Sequence, residues 1–287
     1  MSAPRPRRSA LYMPAANARA IEKARSLDCD VVILDLEDAV APEAKADARR
    51  QATEAVRTGG FGRREVVIRV NGLDTPWGAD DLAAAAAARP DAILAPKVSS
   101  ADDVAAYASA IGDRPLWAMI ETCSALFRLD AIAATARALP LAAWVIGTND
   151  LAKEMRCRLD AERRPLLAAL SLAVAAARAE GLVILDGVYN ALEDDDGLGR
   201  QCRQGVEFGF DGKTLIHPRQ IPVANAAFAP TDDEVLWART VVEAFAQPEN
   251  AGKGVLRVEG QMVERLHLEA ARRALAIADA VADAVGA

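Results

Sequence analysis

Histidine is nearly absent from this chain of 287 residues, which holds two, His217 and His267. The four cysteines, at positions 29, 123, 157 and 202, include no C-x-x-C pair and none lies beside a histidine. Both facts argue against a Cys/His zinc site and leave reduced, structural thiols as the expectation. Basic excess is missing too: the formal net charge is −7, whereas a nucleic-acid footprint needs a clustered basic face. The only dense basic run, RPRR at residues 5–8, is not followed by the apolar segment of a secretory signal. No apolar stretch approaches the roughly 20 residues of a membrane span. A soluble, cytoplasmic protein without nucleic-acid or membrane partners is expected. No G-x-G-x-x-G follows the first apolar run, and no P-loop, Ser-His-Asp arrangement or pyridoxal-type signature is present.

What the chain does have is a rhythm. Short apolar runs recur at Ala10–Met13, Val31–Leu36, Val66–Val70, Ala92–Ala95, Leu116–Ile120, Ala143–Ile146, Leu182–Leu185 and Gly212–Ile216. They are continuous rather than alternating, as strands buried on both faces are. Helical patterns separate them. Asn17–Leu27 sets Ala20, Ile21 and Ala24 on one face, and Pro42–Arg57 opens with a first-turn proline. Leu82–Ala88 is nearly pure Leu and Ala, and Ala101–Ile111 follows the capping pair Ser99-Ser100. Pro165–Glu180 ends at Gly181, a C′ residue. Strand and helix alternating eight times predict a (β/α)₈ TIM barrel, which fills about 250 residues. A hydrophobic fraction of 52% suffices for such a core.

After the last run the pattern changes. Asp232–Phe245 reads as an ordinary amphipathic helix, and QPENAGKG then interrupts as a hinge. VLRVEGQMV follows as a short extended turn, and a final Ala-rich helix runs from about Leu266 to Ala284. The expected organisation is a catalytic barrel over 1–246 and a C-terminal helical appendage over 247–287. That appendage is either a lid for the barrel mouth or an arm for subunit contacts.

Nearly every run stops on a polar residue, and in a parallel barrel the C-terminal strand ends converge on the active-site mouth. Glu121 and Asp150 end consecutive runs. Two neighbouring carboxylates repel unless one is protonated or a cation bridges them, and carboxylate ligands with open positions suit Mg²⁺. The plainer alternative is two carboxylates that cap helices or pair with arginine. Arg69 ends a third run, and its planar fork suits a carboxylate or enolate oxygen; the alternative is a structural pair with Asp35 or Glu37. Because side chains alternate along a strand, Asp35, Glu37 and Asp38 are not all expected at the metal. Glu37 or Asp38 is placed near its waters, with Glu37 as the catalytic choice and Asp35 as support. Lys97 is read as binding an anionic group or pairing with Glu121. Asp186 and His217 are weaker candidates, His217 as a helix cap. A divalent cation and an arginine stabilising an enolate are what a carbon–carbon lyase beside a carbonyl needs.

The segments RSALYMPAAN, VVILDLEDAVAPEAK, VVIRVNGLDTPWG, APKV, IET, GTNDLA, ILDGVYNALEDDDGL and GFDGKTLIHPRQI resemble the citrate lyase β-subunit/malyl-CoA lyase group of the HpcH/HpaI aldolase superfamily, collinearly over nearly the whole chain. The resemblance implies a TIM barrel assembled as a homotrimer or homohexamer. It implies Mg²⁺ held by Glu121 and Asp150, with Arg69 on the substrate carboxylate or carbonyl and Arg8 and Tyr12 in an acyl-CoA pocket. The implied reaction cleaves or forms malyl-CoA or citramalyl-CoA, with acetyl-CoA and a 2-oxo acid, glyoxylate or pyruvate, as the other side. In the C-terminal lid, relatives carry G-x-M-I-D-x-P, whose Asp serves as acid/base. This chain reads GQMVERLHLE, so Glu264 stands for the Asp and Leu266 for the Pro. Asn149 in GTNDLA is a second departure. The alternatives are a malyl-CoA thioesterase, a citrate lyase β-subunit fed by a carrier protein, and a catalytically weakened acyl-CoA-binding protein.

Overall fold

In the computed structural model, which describes residues 5–285, the eight apolar runs are eight strands hydrogen-bonded in chain order into a closed parallel barrel. They are β1 (Ser9–Pro14), β2 (Val31–Asp35), β3 (Glu65–Arg69), β4 (Ala92–Ala95), β5 (Leu116–Ile120), β6 (Leu141–Ile146), β7 (Val183–Asp186) and β8 (Gly212–Leu215). The barrel closes where Ser9 of β1 pairs with Lys213 of β8.

Strand parity decides which side chains reach the site. Ile33, Val67, Leu94, Trp117, Val145 and Leu185 fill the barrel interior. Their neighbours Leu34, Ile68, Ile93, Ala118 and Ile184 pack outward against the helices. The inward parity of Val31 and Ile33 continues to Asp35, that of Val67 to Arg69, and that of Trp117 and Met119 to Glu121. In register, Asp35 lies opposite Arg69 on the adjacent strand.

Helices cover the barrel and begin where capping residues predict. Asn17 caps α1 (Ala18–Ala24) and Ser100 caps α4 (Ala101–Ile111) through side-chain oxygens accepting backbone N–H groups. A 3₁₀ turn at Pro42–Ala44 leads into α2 (Lys45–Thr58), and α3 spans Gly78–Ala88. Two short helices, α5 (Cys123–Leu126) and α6 (Leu129–Ala134), follow β5, and α7 (Thr148–Glu154) follows β6. Next come α8 (Leu167–Ala179), α9 (Asp195–Phe208) and α10 (Ile221–Ala227).

The barrel unit ends at Phe228, earlier than the expected boundary at 246. The helix α11 (Asp232–Ala246) groups with the C-terminal residues because its Ala238 and Val241 share an apolar cluster with Leu256, Val258, Val263 and Leu268. The expected extended turn is an antiparallel hairpin of β9 (Val255–Val258) and β10 (Gln261–Glu264), before α12 (Arg265–Val285). Its two-residue loop, Glu259-Gly260, has φ of 47° and 84°, the positive pair that matches strand twist in a tight hairpin.

Parity also removes Asp186 from the mouth. It follows Ile184 outward, where Arg163 Nη1 approaches at 2.6 Å and Lys213 Nζ at 2.8 Å. Lys213 also donates to Gln201 Oε1 of α9 at 2.7 Å, so this fully buried cluster ties β7 and β8 to their covering helix. Asp186 is the counter-charge of both cations, so removing its charge leaves Arg163 and Lys213 buried together without one. Asp186→Asn is therefore expected to cost about 3–5 kcal/mol in urea unfolding while leaving the mouth carboxylates intact.

Candidate active site

The β2 strand stops at Asp35 because Asp35 itself turns the chain. Its Oδ1 accepts the Glu37 N–H at 2.9 Å and its Oδ2 the Ala39 N–H at 3.1 Å. The same carboxylate receives the Arg69 fork, Nε to Oδ1 at 2.7 Å and Nη2 to Oδ2 at 2.6 Å. Past the strand, alternation no longer applies. The turn lifts Glu37 Oε2 to 2.7 Å and Asp38 Oδ2 to 3.5 Å from Arg69 Nη1, so all three acidic residues of DLED meet one guanidinium. The Tyr12 ring lies 4.7 Å from Arg69 Cζ, a cation–π contact at the cavity wall.

A lysine that the sequence reading passed over clamps this turn. Lys45 is buried, and its Nζ donates to the carbonyls of Leu36 at 2.8 Å and Glu37 at 2.7 Å and to Asn71 Oδ1 at 2.7 Å. Its signal was legible as helical spacing, since Lys45 shares the buried face of α2 with Ala48, Ala52 and Ala55. Asn71, two residues past Arg69, returns a bond to the Leu36 carbonyl at 2.8 Å.

Glu121 continues the inward line of β5 and is 1% exposed. Its Oε1 accepts the Lys97 N–H at 2.8 Å, while its buried Oε2 has no hydrogen-bond partner. Gly147 explains the fit: a Cβ there would overlap Glu121 Cβ and Oε2, so only glycine lets β6 pass so close to the carboxylate. Asp150 lies in the first turn of α7, half-buried. Both carboxylates line one cavity of about 280 Å³ at the C-terminal mouth, together with Tyr12, Asp35, Asp38 and Arg69. Burial, and then the charge of Glu37, push the Glu121 carboxyl up to about 7. Burial likewise raises Glu37 against the pull of Arg69.

The donor set suits a hard divalent cation. Among the described residues no three His, Cys, Asp or Glu side chains converge as a complete cage. Two carboxylates, one with an orphaned buried oxygen, match Mg²⁺, which takes one or two carboxylates and keeps its other positions for water or substrate. Charge points the same way: Asp35, Glu37 and Asp38 already gather on Arg69, with Lys97 on Glu37, and Glu121 and Asp150 add two more carboxylates at the same mouth.

The remaining expected residues divide. Tyr12 and Arg69 reach the cavity. Lys97 sits beside it, with Nζ bound to Glu37 Oε1 at 2.6 Å. Arg8 does not reach it. It precedes β1 at the opposite end of the barrel, where Asp30 takes its Nε at 2.9 Å and Nη2 at 2.8 Å, so the pocket role expected of it has no geometric basis. His217 caps the 3₁₀ turn Pro218–Gln220, accepting the Arg219 N–H at 3.2 Å. Asn149 exchanges amide bonds with Asn190, at 3.3 and 2.9 Å. Glu264 belongs to the C-terminal unit, where its N–H donates to His267 Nδ1 at 2.9 Å. A larger recess of about 560 Å³ opens at the N-terminal strand ends, where Arg64, Arg89 and Arg114 mix with Asp91 and Asp113. Helices α2, α3 and α4 end there, and cations at helix C-termini need no ligand to account for them.

The sequence profile of the HpcH/HpaI aldolase/citrate lyase family matches residues 8–218. A (3S)-malyl-CoA thioesterase of Cereibacter sphaeroides is 50% identical over 277 residues, covering 96% of each chain. The mitochondrial citramalyl-CoA lyase of Homo sapiens is 30% identical, over 96% of this chain and 86% of the relative. Among solved structures, protein CitE of Mycobacterium tuberculosis in complex with magnesium, acetoacetate and coenzyme A superposes with a TM-score of 0.77 at 31% identity, covering 94% and 97% of the two chains. With the family profile spanning most of the barrel and a relative 50% identical over nearly its whole length, this closed-barrel chain belongs to the HpcH/HpaI aldolase/citrate lyase family.

Proposed function

We propose that this protein is a Mg²⁺-dependent enzyme acting on a malyl-CoA-type thioester, and that it hydrolyses the thioester to malate and CoA. The observation that carries the Mg²⁺ site is the orphaned Glu121 Oε2 sharing a small cavity with Asp150. Hydrolysis is favoured by the full-length relative at 50% identity that bears that activity in its name. A second reading, carbon–carbon cleavage to acetyl-CoA and a 2-oxo acid, is supported by the citramalyl-CoA lyase relative and by the absence of a Ser/Cys–His nucleophile from the cavity lining.

Bound between Glu121 and Asp150, Mg²⁺ would supply Lewis-acid polarisation of substrate oxygens and offset the surplus carboxylate charge. The protein's own groups do the rest. Asp35 consumes two donors of Arg69 and so fixes the guanidinium plane; Nη1 is left toward Glu37 and the cavity, positioned for an oxygen that gains charge. Glu37 is retained as the proposed proton acceptor, from water in hydrolysis or from the substrate hydroxyl in C–C cleavage; burial raises it, and it lies outside the cavity lining, held by Lys97 at Oε1 and Arg69 at Oε2. Tyr12 and Met119 keep bulk water from the floor. Glu264 is retained as the proposed acid/base of the C-terminal motif. CoA and a small hydroxy or oxo acid are the proposed ligands, and a homotrimer or homohexamer the proposed assembly.

Incubating the protein with (3S)-malyl-CoA and Mg²⁺, followed by mass spectrometry, is expected to give malate and free CoA; acetyl-CoA with glyoxylate would instead establish the lyase reading. Absence of both product pairs, with CoA thioester still bound in calorimetry, would mark a binding protein. Glu121→Gln and Asp150→Asn are each expected to lower Mg²⁺-dependent turnover about a hundredfold or more with Tm unchanged or raised. Wild-type turnover in either variant would end the metal assignment.

Protons and Mg²⁺ compete for Glu121. Its folded pKa near 7 exceeds its ordinary value, so the metal-free folded state takes up a proton that the unfolded chain holds only below about 4.5. The group's contribution to metal-free stability therefore falls as pH rises from about 4.5 to 7. Divalent-ion affinity runs the other way. It is expected to climb up to about tenfold per pH unit until pH 7 and then level, in a calorimetric titration over pH 5.5–8.

A further inference from the structure

Lys97 holds a backbone conformation that a residue with a Cβ avoids, φ of 52° in the left-handed region. Arg89, Arg156, Arg163 and Glu259 share that conformation, but they fall at helix boundaries or in the hairpin loop, where it is ordinary. Lys97 lies in the loop after β4, beside the mouth. Strain of this kind persists where the surroundings over-determine it, and such places cluster at functional sites.

Three contacts over-determine it here. The Lys97 N–H points to Glu121 Oε1 at 2.8 Å. Its ammonium reaches Glu37 Oε1 at 2.6 Å. Its carbonyl accepts the Ser99 hydroxyl at 3.1 Å, and that hydroxyl lies 2.8 Å from Thr122 Oγ1, the neighbour of Glu121. One residue thus grips Glu121, Glu37 and, through Ser99, the chain that carries Glu121. With Oε1 occupied, Glu121 has only Oε2 to offer, pressed against Gly147 and without a partner.

We propose that Lys97 is a positioning residue. Its left-handed backbone orients Glu121 to offer one oxygen, and its ammonium fixes Glu37 beside Arg69. It does not contact the substrate, in contrast to the binding role expected from its place at a strand end. This inference rests on the reading of Glu121 and Asp150 as the divalent-cation site. Glycine at 97 would remove the ammonium and relieve the backbone, whereas methionine would remove the ammonium and keep the strain. The two consequences are therefore separable.

The experiment measures Mn²⁺ affinity of the substrate-free protein by electron paramagnetic resonance, alongside Tm and steady-state kinetics. Lys97→Gly is expected to weaken Mn²⁺ binding about 10–100-fold while Tm stays at or above wild type. Lys97→Met is expected to weaken binding similarly without a gain in Tm, and Lys97→Arg to restore most of the affinity. Kinetically, kcat falls and the KM for thioester is little changed. Wild-type Mn²⁺ affinity in Lys97→Gly overturns the proposal. So does a raised KM with unchanged Mn²⁺ affinity, which would assign Lys97 to substrate, or a joint fall of affinity and Tm in both variants, which would make it merely structural. If the wild type fails to bind Mn²⁺, or Glu121→Gln binds as tightly as wild type, the cation-site reading itself falls and this inference with it.

Discussion

The bidentate pair between Asp35 and Arg69 joins the ends of two adjacent strands inside the barrel, with both side chains buried, and the site is arranged around it. A buried ion pair is poor evidence of stability, because desolvation offsets most of its attraction. What it does here is orient. Asp35 turns the chain after β2 with one set of lone pairs and holds the Arg69 plane with another. That turn delivers Glu37 and Asp38 to the same guanidinium. Remove the pair, and the second and third strand ends lose their common reference.

The pair also leaves the mouth short of positive charge. Glu121 and Asp150 add to the carboxylates already collected there, and Glu121, raised first by burial, is pushed further up by Glu37 and Asp150. Carboxylates gathered in this way store repulsion that the proposed divalent cation would relieve. Chemistry that needs an oxygen stabilised as it gains charge is then served by groups already oriented, at little cost in reorganisation. Lys45 and Lys97 differ in kind from Arg69. One clamps carbonyl oxygens from below, the other grips two carboxylates from the side.

Much of this was legible before any coordinates. The barrel followed from continuous apolar runs alternating with helical ones, and strand positions agreed to within two residues because barrel strands are buried on both faces. Tyr12, Arg69, Glu121 and Asp150 were named from strand-end position or motif and do share one cavity. Three readings missed for identifiable reasons. Arg8 was placed by its neighbourhood to a motif, but it lies at the wrong end of its strand. The alternation argument for DLED did not foresee that all three acids meet at Arg69, because the strand ends at Asp35 and a turn carries the other two. Helix α11 was assigned to the barrel because periodicity shows that a helix has an apolar face, not which core receives it.

By itself, then, the sequence determined the number and order of strands, the place of Arg69 and Glu121 at strand ends, and the acidic character of the mouth. These depend on spacing along the chain, which local physics reads directly. Only the tertiary structure decided which acid meets which base. Glu121 keeps one oxygen free because Lys97, in a left-handed conformation no residue code announces, occupies the other. Gly147 matters for the Cβ it lacks, against a strand distant in sequence. Such pairings arise from closure of the barrel, which brings strand ends to hydrogen-bond distance without leaving a trace in the spacing of either.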